Sequence, residues 1–159
     1  MLYTKPRAEK RACEALAEKG YELYLPTVKT VKQWSDRRKK IEEPLFKSYL
    51  FIHGTLNQTL KAAQHPNIVT VVHFGKQPAI VRDCEMEAIR LVVANEGEVT
   101  VVAGKLELGQ RVRVVRGALK NMTGVLMEFR GTKRIAVEIE SLDCHLLIEM
   151  QSGYVEEIK

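Results

Sequence analysis

The residues of this sequence best suited to chemistry are cationic, and they are concentrated near its start. Met1 to Leu50 contain 12 Lys and Arg against 7 Asp and Glu, whereas the remaining 109 residues contain 13 of each. One cationic group lies on or beside the first predicted helix and comprises Lys5, Arg7, Lys10, Arg11 and Lys19. A second group is the run that begins with Arg37 and Arg38 and ends at Lys40. Cations set against phosphates release condensed counterions, so both groups predict a surface for nucleic acid. The alternatives are a solvated helix face and a solubilising loop.

No pattern typical of an active site accompanies these cations. The four histidines His53, His65, His73 and His145 lack the spacing of metal ligands, and neither a P-loop nor a dinucleotide fingerprint occurs. The three cysteines are odd in number and widely scattered, which is typical of reduced thiols in a cytoplasmic protein. We therefore expect a protein that is not an enzyme and has no metal and no cofactor.

The composition is that of a globular chain. With 45% hydrophobic and 28% charged residues, the sequence differs from those of disordered proteins. Its apolar runs are all much shorter than the ~18 residues that a membrane helix needs, and its start lacks the layout of a signal peptide. These features predict a cytoplasmic monomer that makes no use of a membrane.

Hydrophobic patterning predicts an α+β domain in the first part of the chain. Thr4 is a suitable N-cap for a helix over Pro6–Lys19, and Leu45–His53 has the residue types of a buried strand. The stretch Thr27–Lys40 is polar and lacks a helical period, so it is either a loop or an exposed hairpin. The predicted order is β-α-β-β-α-β-β-α, which favours one antiparallel sheet with three helices packed against it.

The pattern changes after residue 108. Arg111–Val114 alternates with period two, and five short strands follow one another at spacings of about ten residues, which predicts a small all-β barrel. Lys105–Lys159 contain 9 basic and 8 acidic residues, so this half is nearly neutral. We predict a domain over 1–97, a linker over 98–108 and a barrel over 109–159.

Several stretches resemble NusG-type transcription elongation factors. Leu2–Lys10 resembles their first strand and helix, and Glu43–Phe51 is similar to the pattern before and along their third strand. His73–Gly75 followed by Pro78–Val81 is similar to a later strand pair. Gly109–Val114 with Gly117 and Gly124 looks like a KOW motif, which in this family belongs to an SH3-like barrel. The resemblance covers nearly the whole chain in the right order. The basic loop, together with the run Glu43–Phe46, looks closer to specialised antitermination paralogues of the RfaH and UpxY kind than to general NusG.

The resemblance implies partners and residues. The N-terminal domain of this family binds the clamp helices of the RNA polymerase β′ subunit through an apolar pocket, which would here be lined by Tyr3, Phe46, Tyr49 and Phe51. The two cationic groups would meet DNA of the transcription bubble. The barrel would recruit a ribosomal protein or a termination factor, with Leu126 and Phe129 in its contact patch. For each of these aromatic and apolar residues, the alternative is a place in the hydrophobic core.

The function expected from these observations is transcription elongation and antitermination. A factor that binds the closed clamp would disfavour paused and terminating states of polymerase. Two other interpretations stay open at this point. One is a ribosome-associated RNA-binding protein, because KOW barrels also occur there, and the other is an enzyme with an accessory barrel.

Overall fold

The computed structural model describes residues 1–33, 38–95, 99–104, 109–129, 132–149 and 153–158, with the backbone alone at 31–33, 38–40, 128–129 and 132–133. The chain forms two compact units, an N-terminal unit of Met1–Val81 and a C-terminal unit of Arg82–Lys159. The predicted fold class is confirmed, because an α+β region with an antiparallel sheet precedes a small all-antiparallel β-domain, and the described part of the chain contains three α-helices.

The N-terminal unit contains two helices and eight strands within the described ranges. Its helices are α1 (Glu9–Ala17) and α2 (Leu56–Ala62). Its strands are β1 (Leu2–Thr4), β2 (Glu22–Tyr24), β3 (Thr27–Gln33), β4 (Arg38–Pro44), β5 (Tyr49–His53), β6 (Ile68–Val71), β7 (His73–Phe74) and β8 (Gln77–Pro78). β3 and β4 pair with each other to form a two-stranded ribbon, so the basic stretch after Pro26 is a hairpin rather than a loop.

The main sheet of the N-terminal unit has two different faces. Its strand order is β2-β5-β1-β6, and every neighbouring pair is antiparallel. On one face, Leu2 of β1 and Leu50 of β5 are fully buried in a cluster that includes Leu16 of α1. Because successive side chains of a strand point to opposite faces, the neighbouring residues Tyr3 and Tyr49 lie on the face away from this cluster.

The first helix begins later than the sequence predicts. Thr4 is the last residue of β1 and not an N-cap, and α1 begins only at Glu9. The reason is that the chain stays bonded to its neighbours beyond β1: the Thr4 N–H donates to the Ser48 carbonyl at 2.8 Å, and the Lys5 N–H donates to the Asn67 carbonyl at 2.9 Å. A turn with Arg7 in the left-handed region (φ 60°) then leads into the helix.

Two predicted strands of the N-terminal unit also differ from the structure. The strand expected over Leu45–His53 begins only at Tyr49, because Ser48 adopts a left-handed φ of 64° that interrupts an extended chain. Of the strand pair expected over His73–Gly75 and Pro78–Val81, the second strand lies earlier: it is β8 (Gln77–Pro78), which pairs with β7 in a short hairpin. The segment Leu45–Ser48 is thus a turn that delivers the chain to β5.

The C-terminal unit contains one α-helix and six strands in its described ranges. The helix is α3 (Asp83–Ala94). The strands are β9 (Val99–Ala103), β10 (Gln110–Val114), β11 (Thr123–Phe129), β12 (Thr132–Ile139), β13 (Cys144–Glu149) and β14 (Val155–Glu157), with a 3-10 turn at Glu140–Leu142 between β12 and β13. They form one antiparallel sheet in the order β14-β10-β11-β12-β13-β9.

Close packing in the β-domain explains one glycine of the KOW-like stretch. A Cβ atom at Gly124 would lie 2.5 Å from the Ala136 carbonyl oxygen and 2.8 Å from Cγ1 of Ile135. Ile135 is fully buried, so neither neighbour can move away freely. Glycine is required here by the close approach of β11 and β12, which is the usual reason for a glycine inside a strand.

The grouping of residues between the two units differs from the predicted domain boundaries. The sequence places the third helix in a domain over 1–97, whereas α3 groups with the β-domain. Val99–Ala103, part of the predicted linker over 98–108, is the strand β9, which pairs with β13 along its length. β9 is rich in β-branched valines and threonine, which favour a strand. The boundaries of the functional domains themselves remain a prediction.

Candidate functional site

Two tyrosines of the N-terminal sheet lie side by side on its aromatic face, the face away from the helices. Tyr3 and Tyr49 are register partners of β1 and β5, and their rings meet edge to face with centroids 5.5 Å apart. Tyr3 is 39% exposed and Tyr49 is half-buried, so solvent and partners can reach the pair. An aromatic pair that keeps part of its surface accessible is suited to anchor another protein.

The two predicted phenylalanines lie close together but are buried. Phe51 follows Tyr49 on the same face of β5, and its ring meets Phe46 edge to face at 5.9 Å and Tyr24 in a tilted arrangement at 6.5 Å. Phe46 and Phe51 are only 5% and 3% exposed. These two rings therefore pack against each other within the fold, and their part in a partner contact stays a prediction.

One member of this aromatic set is absent from the sequence-based prediction. Tyr24 is the register partner of Phe51 in the β2–β5 pair. Leu23 packs on the cluster beside the helices. Because neighbouring side chains of a strand point to opposite faces, Tyr24 must lie on the aromatic face. Three residues are too few for that alternation to be distinguished from a turn.

The cations beside α1 are all exposed, but they do not form one cluster. Lys5, Arg7, Lys10 and Arg11 lie before the helix or in its first turn, and each is exposed. Lys19 lies beyond the other end of α1, roughly 13 Å along the axis for a nine-residue helix. The structure thus brings four of the five predicted residues to one end of the helix and separates Lys19 from them.

Lys10 is also part of the fold. Its ammonium Nζ donates to the Glu42 carbonyl oxygen at 3.0 Å, which joins the first turn of α1 to β4. A hydrogen bond from the Thr27 hydroxyl, together with the positive charges of Lys10 and Lys29, holds the pKa of the Glu42 carboxyl below its usual value. The base of the ribbon is therefore fixed to α1 by one cation that the sequence predicts to be free.

The second cationic group lies at the end of the ribbon. The β3–β4 register places Lys32 opposite Lys39 and Gln33 opposite Arg38. Arg37 lies outside the described residues. The register thus brings the backbone positions of two lysines and one arginine of the basic stretch to this end of the ribbon.

The predicted contact residues of the β-domain are less informative. Leu126 of β11 is half-buried and lies in register with Gln110 and Ile135. Phe129 is the last residue of β11 and is paired with Thr132. Half-burial of Leu126 is compatible with a contact patch and with a place at the margin of the core.

The start of α3 carries a buried carboxylate that the sequence analysis missed. Glu85 is 4% exposed and accepts the backbone N–H groups of Arg82 at 2.9 Å and Ser141 at 3.1 Å. The Arg82 guanidinium contacts both Glu85 at 3.2 Å and Glu140 at 2.8 Å. Burial alone would raise the pKa of Glu85, but these hydrogen bonds outweigh it and lower that pKa. The arrangement attaches α3 to the 3-10 turn of the β-domain.

Within the described ranges, no group of three or more His, Cys, Asp or Glu residues is placed to hold a metal ion. A cleft of about 890 Å³ beside α3 is lined by side chains of both charges, among them Arg111, Lys120, Glu87 and Glu138. Because its charges are mixed, this cleft does not favour a polyanion.

Comparison with known proteins assigns the chain to a family. The family model described as NusG, transcription termination factor, matches residues 1–90. The chain belongs to the NusG family. The match covers β1 through most of α3, and it therefore includes the tyrosine pair, the cations of α1 and the ribbon.

Individual relatives agree with this assignment over most of the chain. The transcription termination/antitermination protein NusG of Pseudomonas aeruginosa is 24% identical over 147 residues, which cover 90% of this chain and 83% of that protein. A structure titled "Domain interaction in Thermotoga maritima NusG" superimposes with a TM-score of 0.56 at 21% identity, covering 99% of this chain and 95% of that one. That structural likeness supports the fold. Among the described residues of this NusG-family chain, no helix is long and apolar enough to cross a membrane.

Proposed function

We propose that this NusG-family chain is a transcription elongation and antitermination factor that binds the clamp helices of RNA polymerase and the DNA of the transcription bubble. The observation that carries the proposal is the accessible Tyr3–Tyr49 pair on the aromatic face of the N-terminal sheet. The chain acts by binding and not by catalysis, and its resemblance to specialised antitermination paralogues stays a prediction.

The aromatic face has the properties of a protein-docking surface. Tyrosine presents a large rigid ring at low entropic cost and retains a hydroxyl for a polar partner. Phe51 follows Tyr49 in β5 and is buried against Phe46, so packed aromatic rings anchor the strand that carries Tyr49. A pair of helices from polymerase would cover the exposed part of Tyr3 and bury apolar area at both rings.

The nucleic-acid contacts come from two places on the same unit. The exposed cations Lys5, Arg7 and Arg11 lie before α1 or in its first turn. The second set belongs to the end of the β3–β4 ribbon, where the register places Lys32 opposite Lys39 and Gln33 opposite Arg38. Each phosphate neutralised by such a residue releases counterions and makes affinity fall with added salt. Contacts of this kind position a factor on DNA without reading its sequence.

The expected mechanism is a shift in the conformational equilibrium of polymerase. A factor that binds the closed clamp more tightly than the open clamp increases the population of the closed state by its difference in affinity. Paused and terminating complexes, which require rearrangement, then become less populated. The β-domain provides a separate surface through which a ribosomal protein or a termination factor joins the complex.

The deciding experiment is transcription in vitro with the cognate RNA polymerase through one pause site and one terminator. The full chain should shorten the pause and increase read-through, and Tyr49→Ala should remove most of both effects. Phe74→Ala is the matched control, because Phe74 is an aromatic residue of the same unit that is 53% exposed on β7. If the wild-type chain leaves pausing and read-through unchanged, the proposal is wrong.

Salt dependence tests the nucleic-acid part separately. Reversing Arg37 and Arg38 to glutamate should lower the slope of log affinity against log salt by about 2 for two phosphate contacts. Reversing Arg116, an exposed arginine of the C-terminal unit, should leave the slope unchanged. Firm RNA binding by a chain that does not bind polymerase would instead favour the ribosome-associated alternative.

A further inference from the structure

A buried carboxylate of α1 reaches across to the segment that precedes the aromatic face. Glu9 is 6% exposed, and its Oε1 accepts the backbone N–H of Ser48 at 2.8 Å. These two residues are 39 positions apart, so the contact joins separate parts of the N-terminal unit. A carboxylate rarely becomes this buried unless its hydrogen bonds compensate the loss of water.

Ser48 is a residue whose backbone needs such support. Its φ of 64° lies in the left-handed region, which non-glycine residues seldom adopt. Its N–H is held by Glu9, and its carbonyl oxygen accepts the N–H of Thr4 at 2.8 Å. The backbone N–H of this strained residue is therefore held by α1, and its backbone carbonyl is held by β1.

The strained turn sets the positions of two aromatic residues. Phe46 lies inside the turn and Tyr49 follows it directly, and the Tyr49 N–H bonds the Phe46 carbonyl at 3.4 Å. Tyr49 forms half of the accessible tyrosine pair, whereas the Phe46 ring packs against Phe51. A different φ at Ser48 would redirect the chain between these rings.

We propose that Glu9 is the positioning residue of the aromatic face: its carboxylate holds the Leu45–Ser48 turn and thereby sets the rings of Phe46 and Tyr49 for docking. Lys10, the next residue of α1, donates to the Glu42 carbonyl of β4, the strand that leads into this turn. The first turn of α1 thus secures both the ribbon and the aromatic face. The docking role of this arrangement rests on the proposed function, but the positioning itself does not.

The test compares Glu9→Ala, Glu9→Gln and Glu14→Gln in the full chain. Glu9→Ala removes the acceptor, whereas Glu9→Gln keeps a neutral acceptor of the same shape, which forms a weaker bond than a carboxylate. Glu14→Gln is the matched control, because Glu14 lies on the same helix and is exposed. NMR reads the amide signal of Ser48 and the ring signals of Phe46 and Tyr49, and a binding assay reads affinity for polymerase.

We expect the ring and amide signals to move strongly in Glu9→Ala and less in Glu9→Gln, and to stay in place in Glu14→Gln. Polymerase affinity should follow the same order, with a loss of about tenfold in Glu9→Ala, which corresponds to ~1.4 kcal/mol. Adding Ser48→Gly to Glu9→Ala should restore part of the signal positions, because glycine adopts a positive φ without a steric penalty and keeps the N–H.

Results other than these would contradict the positioning role of Glu9, its effect on docking or the proposed function. If the ring signals of Phe46 and Tyr49 stay in place in both Glu9 variants, Glu9 does not position the face. If the signals move while affinity for polymerase is unchanged, positioning is irrelevant to docking and the inference is wrong. If the signals move but the wild-type chain itself does not bind polymerase, the positioning holds and the proposed function fails. Should Glu9→Ala not fold, the comparison of Glu9→Gln with Glu14→Gln decides by the same signals.

Discussion

Replacing Gly124 with alanine should destabilise the β-domain through a direct clash. The new Cβ would lie 2.5 Å from the Ala136 carbonyl oxygen and 2.8 Å from Cγ1 of Ile135, whereas ordinary carbon contacts lie at about 3.5–4.0 Å. β11 and β12 must therefore separate by roughly 1 Å beside Gly124, at the end of their pairing next to Val125 and Ala136. Overpacking of this kind costs about 1–3 kcal/mol, and the stiffer unfolded chain of an alanine variant offsets ~0.5 kcal/mol of it. We expect a net loss of about 1.5 kcal/mol.

A second glycine separates the clash from the effect of backbone conformation. Gly104 has φ +80°, and a Cβ there would meet nothing within 4 Å, so Gly104→Ala should cost about 1 kcal/mol for the left-handed conformation alone. Hydrogen exchange of β10–β13 peptides, followed by mass spectrometry, measures the loss in this unit independently of the N-terminal unit. Gly124→Ala should increase exchange of these strands more than Gly104→Ala does. The reverse order, or an unchanged Gly124→Ala, would refute the close-approach argument.

Three further predictions concern the site and the buried groups. Tyr49→Ala should weaken binding to polymerase by at least about tenfold, as expected for an interface anchor, and equal affinity in a titration would remove this residue from the interface. Burial raises the pKa of Cys144 to about 11, so iodoacetamide at pH 8 should label exposed Cys84 first and Cys144 last by mass spectrometry. Early labelling of Cys144 would contradict its burial. The lowered pKa of Glu85 stabilises the folded state above the unfolded value of ~4.3, and this contribution is lost as the pH falls through the folded pKa. Acid unfolding should therefore be less steep in Glu85→Gln than in the wild type, with the exposed Glu87→Gln as the control.

The features that follow from local alternation are predictable from the sequence. Tyr49 and Phe51 are two positions apart in a strand-like run, which places both on one face of a sheet. The sequence does not decide whether the basic stretch is a loop or a hairpin. Its length permits strand pairing, but its many charged residues obscure the alternation of a strand. The family resemblance adds Tyr3 and Phe46, and the structure pairs Tyr3 with Tyr49 and Phe46 with Phe51 but buries both phenylalanines.

The features that depend on distant contacts are not predictable in this way. In the sequence, Glu9 has the pattern of an exposed polar residue of a helix. No neighbouring residue predicts its hydrogen bond to Ser48. The left-handed φ of Ser48 is not predictable either, because glycine and not serine is the residue that typically adopts this conformation. β9 is hidden by the glycines and charges that flank its valines, and its pairing partner β13 lies some forty residues later.

The attachment of α3 has a practical consequence for dividing this protein into fragments. A cut near residue 97 would leave a β-domain without Glu85, so the Ser141 amide would lose its acceptor and the Glu140 carboxylate would lose Arg82. Fragments that retain the chain from Arg82 onward keep those bonds intact. Where binding studies require the two halves in isolation, the C-terminal fragment should therefore include α3 together with the strands that follow it.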